Sequence, residues 1–424
     1  MINPHQVGLI IFDLHGTVSS STRAVYEALK SAYRELGWDM FFSQQEMEKH
    51  LGETSDAFYQ QMTPAEKRSQ WKELRTRVRE QNINVFREYG QTFPGVTETL
   101  KTLKERGFRL ALYSTSSRQS FNAAIDALEI TDFFEPIECA QENNLTKTEL
   151  ARKFKVKTGT VAAAIVGDSL QDIEAARGTD SLSIGALYGY GGNEPQQADI
   201  TIKQFDKLLT IFDRRLPIFE NILGEIGRKK AAGRPYVVGI SGIDCSGKSL
   251  FAGAFEKFLQ AKGHQTQLIS LDDFHNPKEI RCAGKDQADN YYNRSFNINL
   301  IKEKLLKPLR GKKAFSVRMT LLDWRTDRYE IEREFSFSRD TIVIFEGVFL
   351  FRNELAPHID YKVFLSITFE ESKKRAKERD AEAVIKKYDN KYLPAQRKYL
   401  EEYPPRKTAD IVIDNTDYHR PHIM

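Results

Sequence analysis

Short, unbroken apolar runs recur along the chain, separated by longer stretches of helical periodicity. VGLIIF (7–12), FRLALY (108–113), VAAAIV (161–166) and SLSI (181–184) are four to six residues long. Runs of that length without polar alternation predict strands buried on both faces, as in parallel sheets. Between them lie amphipathic patterns. In TRAVYEALKSAYRELG, the residues Val25, Leu29, Ala32, Tyr33 and Leu36 recur at helical spacing, and Gly37 fits the left-handed position that ends a helix. Strands alternating with helices predict a doubly wound α/β domain. The stretch between Asp13 and Phe93 reads as mostly helical, and a lid over the strand ends is expected from about 19 to 92.

The strand pattern restarts at YVVGI (236–240) and continues through TQLISL, TIVIF, YKVFLS and DIVI. Two doubly wound parallel-sheet domains are therefore expected, over residues 1–215 and 234–424. RRLPIFENILGEIGRKKAAGRP supplies a helical connector over 216–233. The length of 424 residues suits two or three domains at about 150 residues each. No internal repeat or low-complexity tract interrupts the pattern.

Composition narrows the class. Apolar residues make up 40% and charged residues 29%, the balance of an ordinary chain with real cores. A net charge of +4 is too weak to argue for a nucleic-acid partner. Cys139, Cys245 and Cys282 form no paired framework, which suits a reducing compartment. The first apolar run is only a strand long, and no window approaches the length of a membrane span. A soluble, cytoplasmic protein is expected.

Candidate chemistry falls at the strand ends. In the first half, Asp13 follows one strand, Ser114 another, Lys147 lies in NNLTKTELARKF, and Asp168 and Asp172 lie in IVGDSLQDIEAA. A carboxylate nucleophile such as Asp13 splits phosphate-ester cleavage into two easier displacements through an aspartyl-phosphate. The Ser114 hydroxyl and Lys147 can hold phosphoryl oxygens as charge redistributes. Asp13, Asp168 and Asp172 would repel one another unless a hard cation such as Mg²⁺ lay among them. Taken singly, Asp13 reads as a helix-capping carboxylate and Lys147 as a solvated lysine with Lys153 and Lys155 nearby; the ordered set argues for chemistry.

These pieces, over about residues 5–213, resemble the haloacid dehalogenase superfamily, in its phosphoglycolate-phosphatase-like branch with a helical cap. The resemblance implies that a second Asp, two residues after the first, protonates the leaving group and activates water. This chain has His15 there. The resemblance also makes the main-chain carbonyl of that position a metal ligand, which any side chain preserves. Imidazole can do acid–base work, but an imidazolium beside Mg²⁺ is disfavoured. A slow or substrate-assisted phosphatase, different chemistry on the same fold, and a binding-only domain all stay open.

In the second half, GISGIDCSGKS holds Gly242-x-x-x-x-Gly247-Lys248-Ser249 between a strand and the helix LFAGAFEKFLQ. That is the setting in which a phosphate-binding loop works. Gly242, Ile243, Asp244, Cys245, Ser246 and Gly247 would wrap the phosphates of ATP with backbone N–H groups. Lys248 would reach the β/γ-phosphates and Ser249 would bind Mg²⁺. Asp272, in SLDDFH at another strand end, is placed to accept the proton of an attacking hydroxyl; a helix cap is the plainer reading. Glu346, in IVIFEG, suits Mg²⁺ or its water. Arg375 and Arg379 lie four apart on one helix face, able to close over phosphoryl groups or simply to face solvent.

Together with YYNRSFN, EGVFLFRNEL, the RD at 379–380 and ADIVIDNTDYHRP, these motifs resemble uridine kinase and its bacterial P-loop relatives over essentially 234–424. The resemblance implies Asp272 as general base, with Asp273, Phe274, His275, Tyr291 and Tyr292 around the acceptor. His275 stands where uridine kinases carry Tyr, and their acidic residue near Tyr292 is missing, so uridine itself is in doubt. The expectation is a bifunctional protein: an ATP- and Mg²⁺-dependent kinase for a nucleoside-like hydroxyl compound, fused to a phosphomonoester phosphatase. Two alternatives remain. Polynucleotide kinase-phosphatases combine the same folds, but a capped site and the lack of a strong basic stripe argue against nucleic acid. The first half could also bind a phosphorylated ligand without turnover and tune the kinase.

Overall fold

The structure, a computed structural model, describes residues 2–424 apart from positions 52, 54, 117, 141–144, 230–232, 312–313 and 380–386. Asp380 of the RD pair and the end of the expected connector lie outside the described residues. The chain divides into two compact units, Met1–Asp213 and Arg214–Met424.

The first unit is built on six parallel strands: β1 (Leu9–Asp13), β2 (Arg109–Ser114), β3 (Ile137–Cys139), β4 (Ala163–Gly167), β5 (Leu182–Ala186) and β6 (Ile200–Ile202). Their order is β3-β2-β1-β4-β5-β6, and every pairing is parallel. β1, β4 and β5 are buried at every position, which is why their sequences carry no polar alternation. β1 is central, so Asp13 emerges at the middle of the sheet's carboxyl edge, where doubly wound folds place their sites. The insert after β1 is helical, with helices Thr22–Leu36, Gln44–Glu48, Ser55–Gln61 and Trp71–Tyr89. The first buries Ala24, Ala28, Leu29, Ala32 and Tyr33 and ends at Gly37 with φ +65°.

The second unit carries β7 (Tyr236–Gly242), β8 (Thr266–Ser270), β9 (Phe315–Asp323), β10 (Arg328–Phe337), β11 (Ile342–Gly347), β12 (Tyr361–Ser366), β13 (Ile411–Asp414) and β14 (His422–Ile423). The main sheet runs β8-β11-β7-β12-β13-β14, parallel except for the last pair. β9 and β10 form a separate antiparallel ribbon. The helix Leu216–Lys229 was expected as a connector. It instead buries Ile218, Phe219, Ile222 and Ile226 against β7, β11 and helix Lys248–Ala261. It is part of the second core.

Candidate active sites

In the first unit the carboxyl edge gathers Asp13 at the end of β1, Ser114 at the end of β2, and Asp168 and Asp172 after β4. Ligand atoms of Asp13, Asp168 and Asp172 all lie within 4.8 Å of one another, and the three residues are buried. Lys147 opens helix Lys147–Thr158 behind a capping box of Thr146 and Glu149. A cation in a first helical turn opposes the helix dipole. Here two carboxylates offset that: Nζ stands 2.8 Å from both Asp13 and Asp172. Burial works against the ammonium, but those carboxylates outweigh it and raise the Lys147 pKa.

The carboxylates are also held from several other sides. Tyr113 donates its hydroxyl to Asp172 at 2.8 Å, and Ser169 donates its hydroxyl at 2.5 Å and its main-chain N–H. Asp168 accepts the Tyr190 N–H at 2.6 Å and the Thr17 hydroxyl at 3.4 Å. The main chain closes in where side chains cannot fit: a Cβ on Gly16 would lie 2.1 Å from Asp168 Oδ2, and Gly16 has φ +81°.

Burial pushes the Asp13 carboxyl up to about 8, with Lys147 pulling it back and Asp172 and Asp168 adding to the rise. Burial likewise pushes Asp168 up to about 6. Three buried carboxylates with ligand atoms within 4.8 Å of one another are the donor set a hard divalent cation satisfies, so the residues fit Mg²⁺. Ser114, 2% exposed, shares hydrogen bonds with Ser116. His15 meets the cap: its ring centroid lies 5.6 Å from that of Phe86. Its Nδ1 is buried without a hydrogen-bond partner among the described residues. Burial, then the charge of Lys147, lowers the His15 pKa to about 4.

In the second unit the loop after β7 leads into helix Lys248–Ala261. Its shape depends on missing side chains. A Cβ on Gly242 would meet Ser246 Oγ at 2.5 Å; Gly247 has φ +86° and its Cβ would meet Asn415 at 2.8 Å. Ser246 Oγ is buried without a hydrogen-bond partner among the described residues. This cradle at a helix N-terminus fits nucleotide phosphates. Lys248 Nζ donates to the Ile243 carbonyl at 2.9 Å. Glu346, next to last in β11, accepts hydroxyls from Ser249 at 3.3 Å and Ser270 at 2.5 Å. Burial raises its pKa. Ser249 and Glu346 are thus already together, as an Mg²⁺ site on a nucleotide requires.

Not every residue singled out from the sequence converges. Asp272 follows β8, and its main-chain carbonyl contacts the His275 ring at 2.7 Å. Phe274 is a core residue stacked on Phe335 of the ribbon. Asp273 faces Arg333 of the ribbon at 3.7 Å. Tyr291 and Tyr292 part company. Tyr291 donates to Asp244, whereas Tyr292 donates to Glu402 at 2.5 Å and carries the Arg352 guanidinium on its ring. An acidic residue therefore does reach Tyr292, from a segment 110 residues away. Arg375 is committed to structure: it pairs with Glu371 and donates to the carbonyls of Cys245, Asn415 and Thr416. Arg379 ends the helix Phe369–Arg379, and its charge acts on Asp244. The supports that sequence reading passed over are Tyr113, Thr17 and the Tyr190 N–H in the first unit, and Gln396 and Asn415 in the second.

Comparison with known proteins follows the same division. Residues 10–186 match the haloacid dehalogenase-like hydrolase family, and residues 237–419 match the phosphoribulokinase/uridine kinase family. The chain joins a haloacid dehalogenase-like hydrolase domain to a kinase-family domain. A phosphoglycolate phosphatase of Aquifex aeolicus is 26% identical over 223 residues, covering 50% of this chain and 99% of that protein. One from Vibrio parahaemolyticus is 27% identical over 223 residues, covering 48% and 96%. A solved structure described as a possible uridine kinase from Bacillus stearothermophilus is 27% identical and covers 48% of this chain and 98% of that one, with a TM-score of 0.40.

Proposed function

We propose that the protein is a bifunctional phosphate-handling enzyme. The domain over residues 1–215 hydrolyses a small phosphomonoester. The domain over 234–424, joined by the packed helix before it, transfers the γ-phosphoryl group of ATP to a hydroxyl of a small, nucleoside-like acceptor. The observation that supports this reading is a pair of separate polar clusters, each at the carboxyl edge of a parallel sheet. One is the buried Asp13–Lys147–Asp172–Asp168 cluster. The other is the cradle after β7 with Ser249 and Glu346.

In the first domain, Asp13 is the nucleophile. Its carboxylate attacks phosphorus, the ester oxygen leaves, and water later cleaves the aspartyl-phosphate. Lys147 and Ser114 hold phosphoryl oxygens as negative charge shifts toward the leaving group. Asp13, Asp168, Asp172 and the His15 carbonyl would hold Mg²⁺, which neutralises phosphoryl charge when bound. The His15 imidazole stands at the position where the resemblance puts the acid–base carboxylate. In the second domain, Lys248 and the loop amides hold the phosphates, Ser249 and Glu346 face the Mg²⁺ position, and Asp272 takes the acceptor's proton. The phosphoglycolate phosphatases among the relatives make phosphoglycolate the natural first probe.

The test is one enzyme and two assays. Asp13→Asn should abolish Mg²⁺-dependent hydrolysis of a phosphomonoester panel and leave acceptor-dependent ATP consumption intact. Lys248→Ala should do the reverse. Hydrolysis that survives Asp13→Asn, or ATP turnover that no nucleoside or related alcohol stimulates, would sink the corresponding half. A second reading, in which the first domain binds a phosphoester without turnover, is favoured by a His15 Nδ1 without a partner among the described residues. It predicts binding but no hydrolysis in the wild type.

A further inference from the structure

The phosphate loop is fastened from outside its own motif. Ser372 donates to the Asp244 carbonyl at 2.7 Å, Arg375 to the Cys245 carbonyl at 3.2 Å, and Asn415 to the Ser246 carbonyl at 2.6 Å. Those contacts hold main chain. Asp244 adds a different kind. Its carboxylate receives the Tyr291 hydroxyl, 3.0 Å from both oxygens. It also receives an N–H of Gln396, whose amide oxygen in turn accepts the Asp244 main-chain N–H at 3.3 Å. Gln396 is wholly buried and Tyr291 is 7% exposed. Three segments meet here: the loop, the turn Asn290–Arg294, and the helix Leu393–Glu402.

Tyr291 is itself held rigidly. Its ring packs edge-on against Phe349 at 5.2 Å and Tyr392 at 4.9 Å. A phenol so confined transmits displacement of the loop to the turn that carries it. A carboxylate in a phosphate loop adds negative charge where a nucleotide brings more, so holding phosphates does not explain it. Phosphoryl transfer does depend on placement: attacking oxygen and phosphorus must stand about 3–3.5 Å apart and in line. In the kinase reading the loop fixes one partner and the Tyr291 segment helps to fix the other.

We infer that Asp244 is a positioning residue that ties the ATP phosphate loop to the Tyr291 segment, so that nucleotide in the loop orders the acceptor wall. The inference rests on the kinase reading of the second domain. Coupling between sites is reciprocal, so acceptor bound against Tyr291 tightens nucleotide by the same factor.

The test needs no known acceptor. Amide hydrogen exchange is measured on the full chain with and without Mg²⁺ and β,γ-imido-ATP, while calorimetry reports the affinity of that analogue. In the wild type the analogue should slow exchange across residues 287–296 by about fivefold or more, the low end of common site–site coupling. Tyr291→Phe removes only the hydroxyl. It should bind the analogue with near wild-type affinity and lose the protection at 287–296 while keeping it in the loop. Protection of 287–296 that persists in Tyr291→Phe, or its absence in a nucleotide-bound wild type, overturns the inference. A wild type that fails to bind the analogue overturns the kinase reading itself, and the inference with it.

Discussion

His15 stands where the resemblance of the first domain to the phosphatases implies a second Asp. The change is local: Asp13, Lys147, Asp168 and Asp172 still converge, with Lys147 2.8 Å from two of them. What is lost is a carboxylate that can both give and take a proton at that position. What replaces it is an imidazole against Phe86 whose Nδ1 has no hydrogen-bond partner among the described residues. General acid–base groups contribute about 10²–10⁴-fold when correctly placed. His15→Asp should therefore raise Mg²⁺-dependent kcat by about tenfold or more on esters with poor leaving groups, measured by phosphate release. A fall in kcat would mean that the imidazole performs the proton transfer itself. The same neighbourhood shows what a sequence conceals. Asp13, Ser114 and the GDSLQD carboxylates announce themselves by ending strands. Tyr113 does not, because inside FRLALY it reads as one more core residue. Only the sheet's geometry, with β2 beside β1 and Asp172 after β4, reveals that its hydroxyl orients a carboxylate.

At the scale of elements, strands buried on both faces were legible because burial leaves an unbroken apolar run. β3 and β6 were not, since three residues carry too little pattern. The β9–β10 ribbon escaped for a different reason. FSVRMTLLD and RYEIEREFSF largely alternate apolar and polar residues, with one face half-buried and the other carrying pairs such as Arg318–Glu334 at 2.9 Å. A search for continuous runs passes over that period-2 pattern. The helix Leu216–Lys229 was found but misplaced. Its apolar face reads equally well in a free connector and in a packed core helix, and only its partners decide. Phe219, 1% exposed, meets Phe251, Phe255 and Phe258 at ring distances of 5.1, 5.2 and 5.5 Å. Phe219→Ala should cost the second unit roughly 3–5 kcal/mol, the usual range for truncating a buried Phe. Denaturant unfolding of the full chain checks it. A loss under about 1 kcal/mol, typical of surface positions, would return the helix to the role of a connector.

For the whole molecule, the division into Met1–Asp213 and Arg214–Met424 has a thermodynamic consequence. Each unit has its own cores: Phe12, Tyr33 and Phe205 belong to the first, and Phe255, Phe274 and Tyr399 to the second. Two cores of this size are expected to melt as two cooperative transitions rather than one. A ligand that binds one unit's native state stabilises that unit alone, by about 2.7 kcal/mol at a hundred times its Kd. For a unit of about 200 residues that is a rise of roughly 5–10 °C. Scanning calorimetry of the full chain with Mg²⁺ and β,γ-imido-ATP should therefore move one transition and leave the other in place. Phe219→Ala should lower the transition that the nucleotide raises, because helix Leu216–Lys229 packs with the loop-bearing sheet. Lys248→Ala should abolish the nucleotide shift without displacing either unliganded transition. A nucleotide that moved both transitions equally would mean that the two units unfold as one. The independence assumed for the two activities would then have to be given up together with the domain boundary.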